Sequence, residues 1–169
     1  MSGAKKKLIV IGAIFLLIAF CALIDFLISL SYEIEFVTIE RQGEAVYDEN
    51  GQEIPADTGV ADGETRMRFV VRVTQNGRPK GGHTLYVKTN RNIIGRVTTN
   101  ENGEAEFVYR CYRAGSGEAE AVLVTVEDED NSVFVAVSAT AEYSLDLVKP
   151  ASDEDGGNMT TDDIFYDIQ

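Results

Sequence analysis

Apolar residues run from Leu8 to Ile24 without a charge, Asp25 interrupts, and Phe26 to Leu30 resumes the run, 23 positions in all. At about 1.5 Å per residue this makes about 34 Å of helix, enough to cross a hydrocarbon core of about 30 Å. The pattern predicts one transmembrane α-helix over 8–30. Beyond it the hydrophobic period drops to two. Ile34, Phe36 and Thr38 alternate with Glu33, Glu35 and Val37, which predicts a first strand starting within two or three residues of the membrane and no stalk.

The same alternation continues to the end of the domain. Val46 to Ile54 reads as a hairpin around Asn50-Gly51, ended by Pro55. Asp62-Gly63 opens the clearest strand, where Met67, Phe69, Val71 and Val73 face one way and Arg66, Arg68, Arg72 and Thr74 the other, with Val70 as the exception. Asn76-Gly77 closes it, and Thr84 to Thr89 puts Leu85 and Val87 on one face. Asn90 to Asn92 turns into an extended Ile93 to Thr99, and Asn102-Gly103 turns into Glu104 to Tyr112. Gly115 to Gly117 separates that strand from Glu118 to Val126. Asp128 to Asn131 then turns into a final alternating run, Val133 to Leu147, long for one strand and expected to bend near Ala139. Turn signals recur every 12 to 14 residues apart from one double interval, and no amphipathic helix interrupts them, the pattern of an all-β sandwich. The expected organisation is a cytoplasmic basic end (1–7), the helix (8–30), an extracytoplasmic β-domain (33–149) and an acidic tail (150–169).

Three turn motifs carry a resemblance. Ala61-Asp62-Gly63-Glu64-Thr65 precedes the clearest strand, Gln75-Asn76-Gly77-Arg78-Pro79-Lys80-Gly81 follows it, and Thr98-Thr99-Asn100-Glu101-Asn102-Gly103-Glu104-Ala105 introduces a later one. Together they resemble the bacterial immunoglobulin-like domain of the invasin and intimin type, over about Ile54 to Val126. The resemblance implies an immunoglobulin-like sandwich and a place on a bacterial surface as a spacer or adhesive module. Such proteins usually string several domains together behind an outer-membrane barrel, whereas this sequence carries one domain behind a helix. Tyr109-Arg110-Cys111 mimics the Tyr-x-Cys of antibody domains, but the chain has no Trp and the domain no second cysteine, so the bacterial version fits better.

Charge sets the topology. Lys5, Lys6 and Lys7 flank the helix on one side and no lysine follows until Lys80, which places the N-terminus in the cytoplasm and the domain outside, in a single-pass cell-membrane protein with an uncleaved signal-anchor. The competing expectations are a cleaved secretory signal, with Ser29 and Ser31 as small residues at the processing site, and a lipoprotein, with Cys21 as the lipidated residue behind an unsuitable Phe20. The net charge of −13 includes +3 from the three lysines, leaving −16 from Asp25 onward, so nucleic acid and anionic lipid are poor partners.

Chemistry is sparse. Cys21 lies in the helix and Cys111 in the domain, too far apart in the expected topology to pair, and Cys111 continues the apolar set Ala105, Phe107, Tyr109 as a core residue. His83 is the single histidine and reads as an exposed loop residue. Asp128, Asp130 and Asn131 supply hard oxygens and are weak calcium candidates, although such a run is ordinarily a solvated turn; otherwise no metal, cofactor or catalytic constellation is expected and the chain does not read as an enzyme.

The candidate contacts are therefore with partners. Asp25 reads either as a carboxylate bending towards headgroups or as one paired with a polar group on a neighbouring membrane helix. In the tail, Ile164, Phe165, Tyr166 and Ile168 concentrate apolar surface behind an acidic stretch, and the peptide has three open fates: docking on a partner by strand addition, return to its own domain, or no role. The expected partners are the lipid bilayer through residues 8–30, an unidentified envelope or surface protein, and a second copy of the chain. A domain planted at the membrane has little reach, which favours a structural or interaction subunit of a cell-envelope assembly. The alternative is a stand-alone surface-binding or adhesive module for a glycan, wall or host ligand.

Overall fold

Helix α1 spans Gly3–Ser29 in the computed structural model, which describes residues 3–48, 50–112, 121–133 and 137–149. Its apolar side chains face outward around most of the circumference, Phe15, Leu16 and Leu17 among them. A helix with no polar face is suited to a nonaqueous surrounding. The stretch Ile9–Ser29 is long and apolar enough to cross a membrane, a property that signal sequences share.

Among the described residues ten strands follow: β1 Tyr32–Arg41, β2 Gly59–Val60, β3 Arg66–Gln75, β4 Arg78–Pro79, β5 Thr84–Thr89, β6 Ile93–Thr98, β7 Glu104–Arg110, β8 Val122–Asp128, β9 Thr140–Leu145 and β10 Leu147–Val148. Two sheets of four strands form. In the first, β3 is central, with β1 antiparallel on one side and β7 on the other, and β4 folds back on Thr74 and Gln75. The second has the order β6-β5-β8-β9. The short pair β2 and β10 runs parallel through Leu147↔Gly59 and Val148↔Val60.

One core joins the two sheets. Met67, Phe69, Val71 and Val73 from β3 are fully buried, together with Leu85 and Val87 from β5 and Val122, Val124 and Val126 from β8. The strict alternation along β3 and β7 is what makes this possible, since every second side chain points to the same face. Aromatic rings fill the width: Phe69 stacks on Phe107 with centroids 5.1 Å apart, and Phe36 meets Tyr143 at 5.6 Å, closing the side where β1 passes β9. On the outer face of the first sheet Arg68 bridges Glu40 and Glu106, and Arg72 bridges Glu35 and Glu104.

The structure departs from the sequence reading at four places. Val37 faces outward as expected, but a bulge between Phe36 and Thr38 brings Ile39, not Thr38, against the core. An extra residue in a strand shifts every later side chain by one face. The hairpin around Asn50-Gly51 is held by a single bridge, Tyr47↔Glu53, rather than by two strands. Asp128, expected in a turn, is the last residue of β8 and fully buried. The long final run does not begin as a strand at Val133: β9 starts at Thr140 and breaks at Asp146 before β10.

The registers fix which loops share an end. Tyr32 pairs with Gln75, Arg72 with Glu104, Thr84 with Thr98 and Leu85 with Asp128. The β3–β4 turn, residues 80–83, the turn at 99–103 and residues 129–133 after β8 therefore lie at the end where α1 enters. Gly59, Cys111 and Lys149 lie at the other.

Candidate functional site: the helix–domain junction

Three residues of α1 are drawn away from solvent. Ser29 is 3% exposed, and Ala22 and Asp25 are half-buried, whereas the other described side chains of the helix are exposed. Separations of three and four residues put them on one helical face. That face carries the contact with the domain. The Asp25 carboxylate oxygen Oδ1 accepts a hydrogen bond of 2.9 Å from the backbone N–H of Val133, 108 residues later in the chain.

The end of the helix is tied as well. Ser29 Oγ donates to the Phe26 carbonyl at 2.8 Å and Ser31 Oγ to the Ile28 carbonyl at 2.6 Å, each a second donor to a carbonyl that already accepts a backbone N–H, from Leu30 and Ser31 respectively. The Ser31 carbonyl in turn accepts from the Asn76 N–H at 2.9 Å. Asn76 and Gly77 both have positive φ, 51° and 73°, the requirement of a two-residue hairpin turn whose twist suits the flanking strands. Helix, first strand and β3–β4 turn thus meet within three residues.

Behind the junction sits a polar cluster. His83 is not the exposed loop residue expected from sequence: its side chain is 13% exposed and Nδ1 lies 2.8 Å from Oδ2 of the fully buried Asp128. The reason is the placement of Asp128 at the end of a buried strand, where a carboxylate must find partners. The Tyr32 ring lies 5.1 Å from the imidazole, and its phenol is pushed up by burial and by the Asp128 carboxylate.

The calcium candidates are engaged with the protein itself. Asp128 Oδ1 accepts from the Asp130 N–H, Asp130 Oδ2 accepts from the Thr84 N–H at 2.6 Å, and Asn131 Nδ2 donates to the Val137 carbonyl at 2.9 Å. The bond from Thr84 holds the Asp130 carboxyl below the usual range. Among the described residues no group of three or more His, Cys, Asp or Glu is placed to hold a metal ion. Cys21 and Cys111 are both free, and burial pushes the Cys111 thiol up to about 12.

Sequence reasoning singled out Asp25, and the structure brings its carboxylate to the Val133 N–H of the chain's own domain. Reasoning missed Ser29, His83 and Val133. A signal for Val133 existed: residues 131–141 are the longest uncharged run outside the helix in a strongly acidic chain. The tail residues Ile164, Phe165, Tyr166 and Ile168 lie outside the described residues. Comparison with family models, with curated proteins and with solved structures gave no match.

Proposed function

We propose that the chain is a single-pass membrane protein, N-terminus in the cytoplasm, whose immunoglobulin-like domain serves outside as a structural or interaction subunit of a cell-envelope assembly. One observation carries the reading. The first strand begins at Tyr32, separated from the end of α1 only by Leu30 and Ser31, and the domain is bonded back to the helix through Asp25 and Val133. A domain fixed this way has the membrane face for its position and little freedom to search for a distant ligand, which suits a part in an assembly better than an adhesin. The two sheets around one core and the three turn motifs support the immunoglobulin-like, invasin-type reading of the domain, and the uniformly apolar surface of α1 supports the anchor.

Extraction of the native protein in mild detergent, followed by intact mass and native mass spectrometry, tests this. The expected species is the full-length chain at fixed stoichiometry with another envelope protein. A chain beginning near Tyr32 would show a cleaved signal and remove the anchor. A monomer whose domain binds a glycan, wall or host ligand would replace the subunit reading with the adhesive one.

A further inference from the structure

Resting on the membrane reading above, we infer that Val133, five residues beyond β8, is a second membrane contact, inserted into the outer leaflet beside α1 and held at that depth by Asp25. The depth follows from geometry. Asp25 lies four residues inside the helix end at Ser29, about 6 Å along the axis. The candidate span Ile9–Ser29 is about 31 Å long, close to the thickness of a hydrocarbon core, so the outer boundary falls near Ser29. A main-chain nitrogen 2.9 Å from the Asp25 carboxylate is therefore below that boundary. The domain reaches down past the end of its own anchor.

The chemistry at that depth agrees. Val133 is 82% exposed, the most exposed of the large apolar side chains described, and its N–H is bonded to Asp25, whose neighbours along the helix, Ile24 and Phe26, face outward. Away from lipid such a valine exposes apolar surface to water, and its burial in the leaflet is favourable. Val133 lies in the uncharged run 131–141, so no ionised side chain next to it in sequence opposes insertion. A backbone N–H entering hydrocarbon must find an acceptor, and a carboxylate there must find a donor. The bond between them gives that N–H an acceptor and that carboxylate a donor. Asn131, buried and bonded to the Val137 carbonyl, holds the chain two residues before Val133.

The chain has no tryptophan, so single tryptophans report position without background. Val133→Trp, Leu17→Trp and Ile93→Trp place one each at the proposed contact, in mid-helix and on the exposed β6 edge, in the full-length chain reconstituted into phosphatidylcholine vesicles. The expected result is strong quenching of Leu17→Trp by deeply brominated lipid, quenching of Val133→Trp by lipid brominated near the headgroup, and acrylamide quenching of Val133→Trp several-fold weaker than that of Ile93→Trp. Adding Asp25→Leu to Val133→Trp should raise its acrylamide quenching towards the Ile93→Trp value. If acrylamide reaches Val133→Trp as readily as Ile93→Trp while Leu17→Trp is still quenched by lipid, the second contact is wrong and the anchor stands. Shielding of Val133→Trp from both quenchers would overturn it in favour of contact between copies. An unquenched Leu17→Trp would overturn the anchor and the second contact together.

Discussion

At the scale of single residues, the least replaceable positions are set by what crowds them. Gly59 in β2 has no room for a side chain: an added Cβ would lie 2.6 Å from Leu147 Cδ2 and 2.7 Å from Cys111 Sγ. All three belong to elements that close the far end of the core, so none can move freely. Gly59→Ala should destabilise the domain by about 1–3 kcal/mol, the usual cost of overpacking. Gly12→Ala, with nothing within 4 Å of the new carbon, provides the control. Denaturant midpoints of the detergent-solubilised chain measure the difference, and equal midpoints would show that the β2–β10 pair yields easily. Sequence reasoning placed Cys111 inside because its neighbours alternate. It could not place His83 or Asp128, because their burial comes from a strand end and a loop that meet only in the folded chain.

Among the elements, β3 bears most of the fold. It pairs along nearly its full length with β1 and β7, and its four inward residues are all fully buried. Asp62 prepares its start: the carboxylate accepts from the Glu64 and Thr65 N–H groups and from the Thr65 hydroxyl, which fixes the turn before the strand. Phe69→Ala removes a ring that contacts Phe36, Phe107 and Tyr143 and should cost about 3–5 kcal/mol. Arg68→Ala breaks two ion pairs on the outer face, each partner partly exposed and screened by water, and should cost far less. Unfolding curves of the two variants rank them, and a larger loss for Arg68→Ala would mean that the sheet depends on its polar face. The strand was legible from its alternation and its turn. The bulge in β1 was not, since only pairing with β3 decides whether Thr38 or Ile39 turns inward.

For the whole molecule, the excess of carboxylates governs the response to acid. Arg68 holds Glu106 below the usual carboxylate range, Arg96 does the same for Glu129, and the Thr84 N–H does so for Asp130. A carboxyl depressed in the folded state adds stability above its unfolded value, about 4, and loses it as pH falls through the folded value. Thermal melting in detergent should therefore decline only below about pH 4. The slope should be shallow, because these groups lie near the surface and are screened. Arg96→Ala should flatten the acid limb further, and a decline already complete at pH 5 would point to a different group.

The order of apolar and polar residues determined the helix, the period-two strands, the inward faces of β3, β5 and β7 and the turns at Asn76-Gly77 and Asn102-Gly103. These follow from local sterics and from burial along one element, which a linear pattern records. Tertiary structure alone decided the bulge at Val37, the late start of β9 at Thr140, the burial of Asp128 against His83, and the bond between Asp25 and Val133. Each depends on groups far apart in the chain coming within a few ångströms. A hydrogen bond across 108 residues leaves no periodic trace, because its two partners answer to each other's position and not to their neighbours in sequence.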